Sequence, residues 1–459
     1  MEKLLELVLE KITPAEKEIA EEKKFASGIA EKIRGMEGRH ESAEIVGSIA
    51  RNTHLRGDRD IDIFVLFPQS VSRAEFEREG LRIGKAVFKG HKWEKAYSEH
   101  PYIRGVIKGF KVEVVPAYRI LHAELLQSAV DRSVFHNSFI LENLPKNGEK
   151  DVRLLKQFMK GVKCYGADLS SNGFPGYVAE LLVIEYGSFR KCIEAVAQWR
   201  KGQAIDVEKH YKDGEAGKFF GSHLIVVDPV DKKRNVAAAL SLNQYARFIA
   251  AGRAFLKKPS MNFFFPKKHE AWPKAKLGKF LKKTELAAVR MGYPPKVVED
   301  VMWGQLRRFS KKVSALAEKE GFTVKRGAEW LEEGKMLIVL LEVESPNLQK
   351  VKIVRGPEAT DTKNSEAFLK AHARPFSGPR IEEGRWVVEV ERKNTELNVF
   401  LKGMLKMFRK QEREGIRKAL KLGAKIMGEK EIAALYSENR GFQQFLTAYL
   451  KGKEEFLDY

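Results

Sequence analysis

Two aspartates at the head of an apolar run limit the folds that this chain can adopt. Asp60 and Asp62 alternate with the first residues of the run IDIFVLF, residues 61–67. A short apolar run rich in β-branched and aromatic residues predicts a buried strand. Side chains alternate along a strand, so both carboxylates project from one face, where they repel each other unless a cation lies between them. Hard oxygen ligands of this kind suit Mg²⁺.

A third carboxylate lies on a second predicted strand. Residues 110–118 read FKVEVVPAY, with Glu113 among β-branched residues. On a strand beside the first, Glu113 would join Asp60 and Asp62 in a two-metal site, which clamps the attacking and leaving oxygens of a phosphoryl transfer. The pattern therefore predicts a catalytic metal centre with Asp60, Asp62 and Glu113 as its ligands.

A glycine and a serine precede the aspartates at a fixed distance. Eleven residues separate Ser48 of the Gly47-Ser48 pair from Asp60. Glycine lets the backbone approach a ligand closely, and the amides of a turn into a helix can cradle phosphates. Arg51, one turn onward, would add a bidentate phosphate donor. A bare Asp-x-Asp is usually only solvated, and Asp58 competes for a place in the acidic row, so the prediction depends on the joint pattern.

Local signals give a coarse secondary structure. Residues 1–36 read as helices, with Thr13 as the expected N-cap of the second. Pro68 and Pro116 are expected to end the two strands, and residues 72–89 between them have helical spacing.

Beyond the strands, the pattern changes twice. Residues 151–249 read as helical throughout, because aromatics and leucines recur at three- and four-residue spacing. Residues 336–392 read as strands around a short helix, a small α+β module. The residues from Thr395 onward read as helical and basic.

The charge balance points to a polyanionic partner. The 459 residues contain 83 Lys and Arg against 62 Asp and Glu, a net charge of +21. Such an excess favours nucleic acid, because neutralised phosphates release counterions. No apolar run approaches the ~20 residues of a membrane span. The two cysteines, Cys164 and Cys192, make neither a disulfide framework nor a metal site. We expect a cytoplasmic protein with no membrane partner.

Clustered lysines identify the candidate RNA-binding surface. Nine lysines fall between positions 257 and 283 with only Glu270 opposing them, and flexible point charges suit backbone tracking. Phe263, Phe264 and Phe265 among them are expected to be core. The nine are Lys257, Lys258, Lys267, Lys268, Lys274, Lys276, Lys279, Lys282 and Lys283. A second basic face near the C-terminus comprises Lys402, Lys406, Arg409, Lys410, Arg413, Arg417, Lys421 and Lys425. A solvated lysine-rich surface is the alternative.

The motif resembles the signature of the polymerase-β-like nucleotidyltransferase superfamily. Gly-Ser, eleven residues, Asp-x-Asp and IFVLF carry that resemblance. More narrowly, the chain resembles the archaeal class I CCA-adding enzymes, over about residues 40–265. The supporting segments, in order, are GSIARNTHLRGDRDIDIFVLFP, KVEVVPAY, DRSVFH, VRLLKQFMKGVKCYGADLSSNGFPGYVAELLVIEYGSF, DPVDKKRNVAAALS and FFFP. The third acid of that family is usually aspartate, and here it is Glu113.

The resemblance implies an α+β multidomain fold. Its parts would be a mixed-sheet head (1–145), a helical neck (146–265), and a body and tail (266–459, the tail at roughly 305–393). It implies that Asp60, Asp62 and Glu113 bind two Mg²⁺ ions. It also implies nucleotide contacts from Gly47, Ser48, Arg51, His136, Lys156, Tyr165 and Arg234, with Arg234 near the incoming base.

The function implied is addition of C, C and A from CTP and ATP to the tRNA 3′ end, without a template and with release of pyrophosphate. The partner would be the tRNA acceptor arm, and a homodimer is left open. Three alternatives stand beside it: a poly(A)-polymerase-like or oligoadenylate-synthetase-like transferase, a catalytically inactive RNA-binding protein, and a small-molecule nucleotidyltransferase. The last leaves the basic C-terminal half without a purpose.

Overall fold

The chain forms two compact units, and the first of them is built from two segments that are separated in sequence by the second. The computed structural model describes residues 1–97, 99–120, 128, 130–267 and 270–457. The first unit comprises Met1–Lys267 and Glu454–Tyr459, and the second comprises Lys268–Lys453. The predicted body and tail therefore lose their last residues to the first unit, whereas the division into head and neck stays a prediction. Within the described ranges, no helix is long and apolar enough to cross a membrane.

The first unit is a mixture of helices and strands. Its helices are α1 (Glu2–Ile12), α2 (Glu16–Arg34), α3 (Gly47–Ala50), α4 (Arg73–Val87), α5 (Arg132–Asn143), α6 (Gly148–Gly161), α7 (Gly176–Tyr186), α8 (Phe189–Val196), α9 (Glu215–Phe220) and α10 (Leu242–Lys257), followed by a 3₁₀ turn at Met261–Phe263. Its strands are β1 (Ser42–Val46), β2 (Asp60–Phe67), β3 (Trp93–Tyr97), β4 (Pro101–Ile107), β5 (Phe110–Tyr118), β6 (Gln203–Ile205), β7 (Leu224–Asp228) and β8 (Asp231–Asn235).

A five-stranded mixed sheet organises the N-terminal part of this unit, as predicted. The strand order is β1-β2-β5-β4-β3, with β2 and β5 parallel and the other pairs antiparallel. Odd-numbered residues of β2, such as Ile61 and Ile63, are fully buried in a core with residues of α2 and α4. Burying one such side chain stabilises the fold by about 1.5–3 kcal/mol. This burial fixes the register, so that the even-numbered residues of β2, including both aspartates, project from the opposite face.

The prediction that Pro116 ends the second strand is wrong. β5 continues through Pro116 to Tyr118, and Pro116 pairs with Val65 of β2. The ladder between β4 and β5 ends at Val114, so this end of β5 has a free edge where proline is tolerated. α4 also approaches closely here, because a Cβ at Gly80 would lie 2.6 Å from the Pro116 ring.

The prediction that Thr13 caps the second helix is also wrong. α2 begins at Glu16, and the amide of Ala15 donates to Glu18 Oε2 at 2.6 Å. Thr13 instead ends α1, where its amide donates to the Leu9 carbonyl. Glu18 thus satisfies a free amide at the start of the helix and decides where it begins.

The predicted helical stretch 151–249 is interrupted by a small sheet. β6, β7 and β8 form a three-stranded sheet in that order, and α10 starts only at Leu242. Arg234 consequently lies on β8, beside β7. The helices pack around an aromatic core in which Phe158 stacks on Phe263 with ring centroids 5.8 Å apart. Phe263 and Phe264 are buried there, which confirms the expectation for the phenylalanine run.

The first unit is completed by residues that follow the whole second unit. Glu454 accepts hydrogen bonds from Arg247 of α10 at 2.8 and 3.0 Å, and Glu455 pairs with Lys163 at 2.5 Å. Phe456 is 6% exposed and stacks on Phe263 at 6.2 Å. The chain therefore leaves the first unit and returns to finish its core.

The second unit contains two sheets. Its helices are α11 (Lys274–Leu281), α12 (Glu299–Glu320), α13 (Thr362–Ala371), α14 (Leu397–Gln411), α15 (Glu414–Leu422), α16 (Glu429–Glu438) and α17 (Arg440–Lys451). Its strands are β9 (Glu285–Gly292), β10 (Val324–Glu332), β11 (Met336–Val343), β12 (Val351–Glu358), β13 (Ser377–Glu382), β14 (Arg385–Glu391) and β15 (Ala424–Met427). The orders are β10-β11-β9-β15 and β12-β14-β13.

The predicted module at 336–392 is therefore divided between two sheets. β11 pairs with β9 and β10, whereas β12, β13 and β14 form a sheet of their own with α13 against it. A glycine marks this contact, since a Cβ at Gly356 would lie 2.8 Å from the Phe368 ring. Apolar runs identify strands but do not say which strands pair.

Candidate active site

The acidic wall, defined as Asp60, Asp62 and Glu113, lies at the ends of β2 and β5. Because these strands pair in parallel, Asp62 lies directly opposite Glu113, and Asp60 lies opposite Lys111. The Asp60 side chain is 55% exposed, with Lys111 Nζ 3.4 Å from Oδ1. The structure thus brings the three predicted acids onto adjacent positions of one sheet face.

The turn into α3 passes against the acidic wall. Gly47 has φ +81°, in the left-handed region that favours glycine, and a Cβ there would lie 2.3 Å from Asp62 Oδ2. No other residue could keep both this backbone conformation and this closeness. Gly47 therefore lets the first amides of α3 lie beside the carboxylate of Asp62.

Negative charge accumulates at the acidic wall. Burial, with the neighbouring charges of Glu113 and Asp60, raises the pKa of Asp62 to about 7, although Arg51 opposes the shift. Burial also raises the pKa of Glu113, despite favourable interactions with Arg104 and Tyr102. Carboxylates that resist ionisation because they face one another need a cation to become fully charged.

Its residues fit a divalent cation by their chemistry. All three are hard oxygen donors on one face, and the repulsion between them would be relieved by positive charge. In the conformations found, Asp60 turns toward Lys111 and Glu113 toward Arg104. Among the residues that the structure describes, no three acidic, imidazole or thiol side chains converge on one point. The assignment of metal ligands therefore stays a prediction.

A cavity of about 490 Å³ opens beside the acidic wall. Asp62, Glu113 and Tyr102 line it from β2, β5 and β4. The cationic and ring side chains that also line it are Arg51, which follows α3, and Arg132, His136, Tyr177 and Arg234 of α5, α7 and β8. The cavity therefore combines acidic and basic groups.

One buried carboxylate, that of Asp228, holds two side chains of the cavity lining in place. Asp228 accepts a hydrogen bond from His136 Nε2 at 2.9 Å and from Arg234 Nη1 at 2.6 Å. Burial would raise the pKa of Asp228, but the bonds from His136 and Arg234 outweigh it and hold the pKa low. The His136 ring stacks on Tyr177 with centroids 4.2 Å apart. Asp228 thus fixes the two predicted nucleotide contacts relative to each other.

A buried charge cluster, defined as Arg51, Thr53, Lys156 and Glu180, joins α3, α6 and α7. Arg51 Nε and Nη2 donate to the two oxygens of Glu180 at 3.2 and 2.9 Å, and Lys156 Nζ lies 3.4 Å from the same carboxylate. Thr53 donates to Glu180 as well. Burial would raise the pKa of Glu180, but Lys156, Arg51 and Thr53 outweigh it and lower the pKa.

Only some of the predicted site residues line the cavity. Those that do are Gly47, Arg51, Asp62, Glu113, His136 and Arg234. Ser48 lies within α3, where its carbonyl accepts the Thr53 amide at 2.8 Å. Lys156 is 3% exposed in the buried charge cluster. Tyr165 packs near it, because a Cβ at Gly176 would meet both side chains. Asp58, the competing acid, pairs with Lys160 at 2.9 Å.

The predicted RNA-binding lysines are exposed where they are described. Lys257 and Lys258 end α10, and Lys267 lies at the end of the first unit's main segment. Lys268 lies outside the described residues. In the second unit the exposed lysines of this run are Lys274, Lys276, Lys279, Lys282 and Lys283. Their exposure fits either RNA contact or solvation, so their role stays a prediction.

Sequence reasoning missed two acids that hold the site together. Glu180 stands in the otherwise apolar segment VAELLVI, residues 178–184, and Asp228 follows the apolar run LIVV. A lone acid in an apolar element is a usable signal, since such a residue must be paired when buried. The partners could not be read off, because Glu180 and Arg51 are 129 positions apart.

Family models match almost the whole chain. Residues 26–142 match the nucleotidyltransferase domain, and residues 150–265 match the second domain of tRNA nucleotidyltransferases. Residues 282–428 match the C-terminal domain of CCA-adding enzymes. The three matches follow one another in the order of that enzyme family.

Whole-chain relatives agree with the family models. The chain is 36% identical to the CCA-adding enzyme of Methanosarcina mazei, over 96% of this chain and 97% of the relative. It is 39% identical to that of Archaeoglobus fulgidus over 84% and 85%, and 34% identical to that of Haloarcula marismortui over 89% of each. The nucleotidyltransferase-domain match, the charged cavity and these similarities lead to one conclusion: the chain belongs to the archaeal CCA-adding enzymes, a family of tRNA nucleotidyltransferases.

Proposed function

We propose that this protein adds C, C and A to the 3′ end of tRNA from CTP and ATP, without a nucleic-acid template. The observation that carries the proposal is the cavity lined both by the acids Asp62 and Glu113 and by Arg51, His136 and Arg234. A nucleoside triphosphate with bound cations has the complementary distribution of charge. The family to which the chain belongs supports the choice of tRNA as acceptor.

The reaction is an in-line displacement at the α-phosphorus. The RNA 3′-oxygen forms a bond to phosphorus, the bond to the bridging α–β oxygen breaks, and pyrophosphate leaves. Asp60, Asp62 and Glu113 would hold two Mg²⁺ ions, which when bound lower the pKa of the 3′-hydroxyl and neutralise the leaving oxygens. Most of the barrier reduction comes from positioning and charge neutralisation, because the protein forms no covalent intermediate.

The chain's own residues would divide the substrate between them. Gly47 and Ser48 bring the first amides of α3 beside the phosphates, where the positive end of the helix favours anions. Arg51 faces the cavity from the buried charge cluster and adds positive charge there, with Lys156 and Tyr165 behind it. These positions fit the triphosphate.

The base of the nucleotide would lie beside Arg234. Arg234 is 37% exposed and is aimed by Asp228, so its free donors can reach a base edge. His136 and Tyr177 form a stacked ring pair in the same wall of the cavity. We propose Arg234 as the residue that reads the incoming base.

The acceptor would be held by charge rather than by sequence. The chain carries +21 overall, and the exposed lysines Lys257, Lys258 and Lys267 are candidates for backbone contacts, together with Lys268. Structured RNA is recognised through its shape and backbone, which suits an enzyme that must accept every tRNA. The tRNA acceptor arm as the bound region and a cytoplasmic location complete the proposal, and a homodimer is left open.

The decisive experiment uses a tRNA transcript that lacks its last three nucleotides. It is incubated with the protein, Mg²⁺, and CTP or ATP separately and together, and the products are separated at single-nucleotide resolution. We expect two additions with CTP alone and a third only when ATP is also present. A long adenosine ladder would support the poly(A)-polymerase-like alternative, and binding without extension would support the inactive RNA-binding protein.

A further inference from the structure

A row of charged side chains extends beyond the acidic wall across the sheet. Asp62 on β2 lies opposite Glu113 on β5, Glu113 lies opposite Arg104 on β4, and Arg104 lies opposite Glu94 on β3. Residues directly opposite one another project from the same face of a sheet. The four side chains therefore form one line on the cavity side, with charges in the order negative, negative, positive, negative.

Arg104 is bonded to only one of its two acidic neighbours. Its Nε and Nη2 both lie 2.7 Å from Glu94 Oε1, within hydrogen-bond distance. Its Nη1 lies 3.9 Å from Glu113 Oε1, which is too far for a hydrogen bond. Glu94 thus holds the guanidinium on the side away from the acidic wall.

The pairing of Arg104 with Glu94 instead of Glu113 matters, because Arg104 and a metal ion would compete for the carboxylate oxygens of Glu113. A guanidinium that pairs bidentately with a carboxylate occupies both of its oxygens. Arg104, Glu113 and Glu94 have side chains 36%, 34% and 55% exposed, so none is locked by packing. Without its partner on β3, Arg104 would turn to Glu113, the nearest remaining acid in the row.

Tyr102 also belongs to this group of side chains. It shares the cavity face of β4 with Arg104 and lines the cavity together with Glu113. Because a tyrosine hydroxyl offers a single donor, it could engage only one of the lone pairs of Glu113. The acids Asp60, Asp62 and Glu94 also act on Glu113; they repel it and would favour Arg104 as its partner.

We propose that Glu94 is a positioning residue that holds Arg104 off Glu113, and so keeps the Glu113 oxygens available to a divalent cation. The inference deepens the proposed function and rests on it for the role of Glu113. In this proposal Glu94 itself touches neither substrate nor cation, and its effect on cation binding comes through its hydrogen bond with Arg104.

The test is a titration of the full chain with Mn²⁺ in the absence of nucleotide and RNA. Binding is measured as the loss of the electron paramagnetic resonance signal of free Mn²⁺. Removing the Glu94 charge in Glu94→Gln should weaken Mn²⁺ affinity about fivefold, the size expected of a competing pair between partly exposed groups. Arg104→Gln should bind Mn²⁺ at least as tightly as the wild type. The double variant should match Arg104→Gln, because nothing is left for Glu94 to restrain.

A matched control removes the same charge elsewhere in the head. Glu77→Gln breaks an exposed pair with Arg73 at 2.8 Å on α4, and Mn²⁺ affinity should not change. A second readout is the Mg²⁺ concentration that gives half-maximal extension. It should rise in Glu94→Gln, while kcat at saturating Mg²⁺ returns to the wild-type value.

Three results would overturn the inference. They are unchanged Mn²⁺ affinity in Glu94→Gln, a loss that persists when Arg104 is already glutamine, and a wild-type protein that binds no Mn²⁺. The second would mean that Glu94 acts as a simple negative charge. The binding assay contains no RNA, so failure of tRNA extension would count against the proposed function alone. Thermal unfolding of each variant checks that the fold is intact.

Discussion

The acidic wall and the buried charge cluster lie on neighbouring elements of the first unit, yet they handle charge in opposite ways. The wall collects three carboxylates on one sheet face, with the exposed Lys111 3.4 Å from Asp60 and Arg104 3.9 Å from Glu113. The cluster surrounds a single buried carboxylate, Glu180, with two cations and a hydroxyl. Charge is thus left unbalanced in one region and matched in the other.

The difference separates ligand binding from support. A carboxylate whose pKa is raised by burial and by neighbouring acids, as that of Asp62 is, has an unfavourable charge that a bound cation would stabilise. A carboxylate whose pKa is lowered, as that of Glu180 is, stays ionised because the surrounding cations and hydroxyl already balance its charge. We therefore expect substitutions in the wall to affect turnover, and substitutions in the cluster to affect stability.

The largest effect should come from Asp62→Asn. Loss of a metal ligand removes several kcal/mol of transition-state stabilisation, so kcat should fall at least about a thousandfold. The melting temperature should not fall, because one repelling charge disappears. Single-turnover extension and thermal unfolding measure the two quantities. Asp58→Asn, which breaks only the pair with Lys160, should lower kcat by less than about tenfold. Near-normal extension by Asp62→Asn would mean that the wall is not the catalytic centre.

Glu180→Gln should have the largest effect on stability. It leaves Arg51 and Lys156 buried without a counter-charge, so the free energy of unfolding should fall by about 3 kcal/mol. Urea unfolding measures it. The matched control is Glu185→Gln on the same helix. The Glu185 side chain is exposed on one side. Partial desolvation and the charge of Asp206 raise its pKa, so its charge is unfavourable and losing it should cost little stability. Equal effects of the two substitutions would contradict the distinction between cluster and surface.

Acid should remove the advantage that the wild type has over Glu180→Gln. The folded-state pKa of Glu180 lies below its ordinary value of 4.5. Stability from a depressed carboxyl pKa is fully present above the unfolded pKa and is lost as the pH falls through the folded pKa. The difference in unfolding free energy should therefore stay constant between about pH 8 and pH 5 and shrink below about pH 4.5. A difference that grows on acidification would show that Glu180 is not the buried anion.

Asp228→Asn should change activity less than Asp62→Asn does, because Asp228 belongs to neither the acidic wall nor the buried charge cluster. It is buried and paired like Glu180, but its partners His136 and Arg234 face the cavity. Freed from it, Arg234 should bind nucleotide less well, so KM for CTP and ATP should rise about tenfold, with kcat changed less. Discrimination between CTP and UTP should also relax. Glu194→Gln, which breaks an exposed pair with Arg190 on α8, serves as the control and should leave KM unchanged. Unchanged KM would remove Asp228 from the nucleotide site.

Strands and their acids were predictable because their signals are local. Alternation over a few residues places β2 and β5 at nearly their observed limits, and a two-residue spacing suffices to put Asp60 and Asp62 on one face. The errors arose where tertiary contacts decide. Proline is tolerated at 116 because the β4 ladder ends before it, and the start of α2 depends on Glu18 reaching back to a free amide.

The support of the site was harder to predict than its acids. The partner of His136 lies 92 positions away, on a strand that the helical spacing of the surrounding segment conceals. The lysine assigned to the nucleotide, Lys156, proved to be sequestered with Glu180. A sequence pattern indicates which side chains carry charge, but the balance of charge depends on pairs that only the folded chain brings together.

The return of residues 454–457 to the first unit has a consequence for biosynthesis. Phe456 and the two glutamates before it are translated only after the whole second unit, yet they cover Phe263 and anchor Arg247 and Lys163. A nascent chain can therefore form the sheet that bears the aspartates early, but must wait for its final segment before the aromatic core is sealed. Messages that end prematurely would yield proteins with this core open to solvent, a state that cellular proteases and chaperones can distinguish from the finished enzyme.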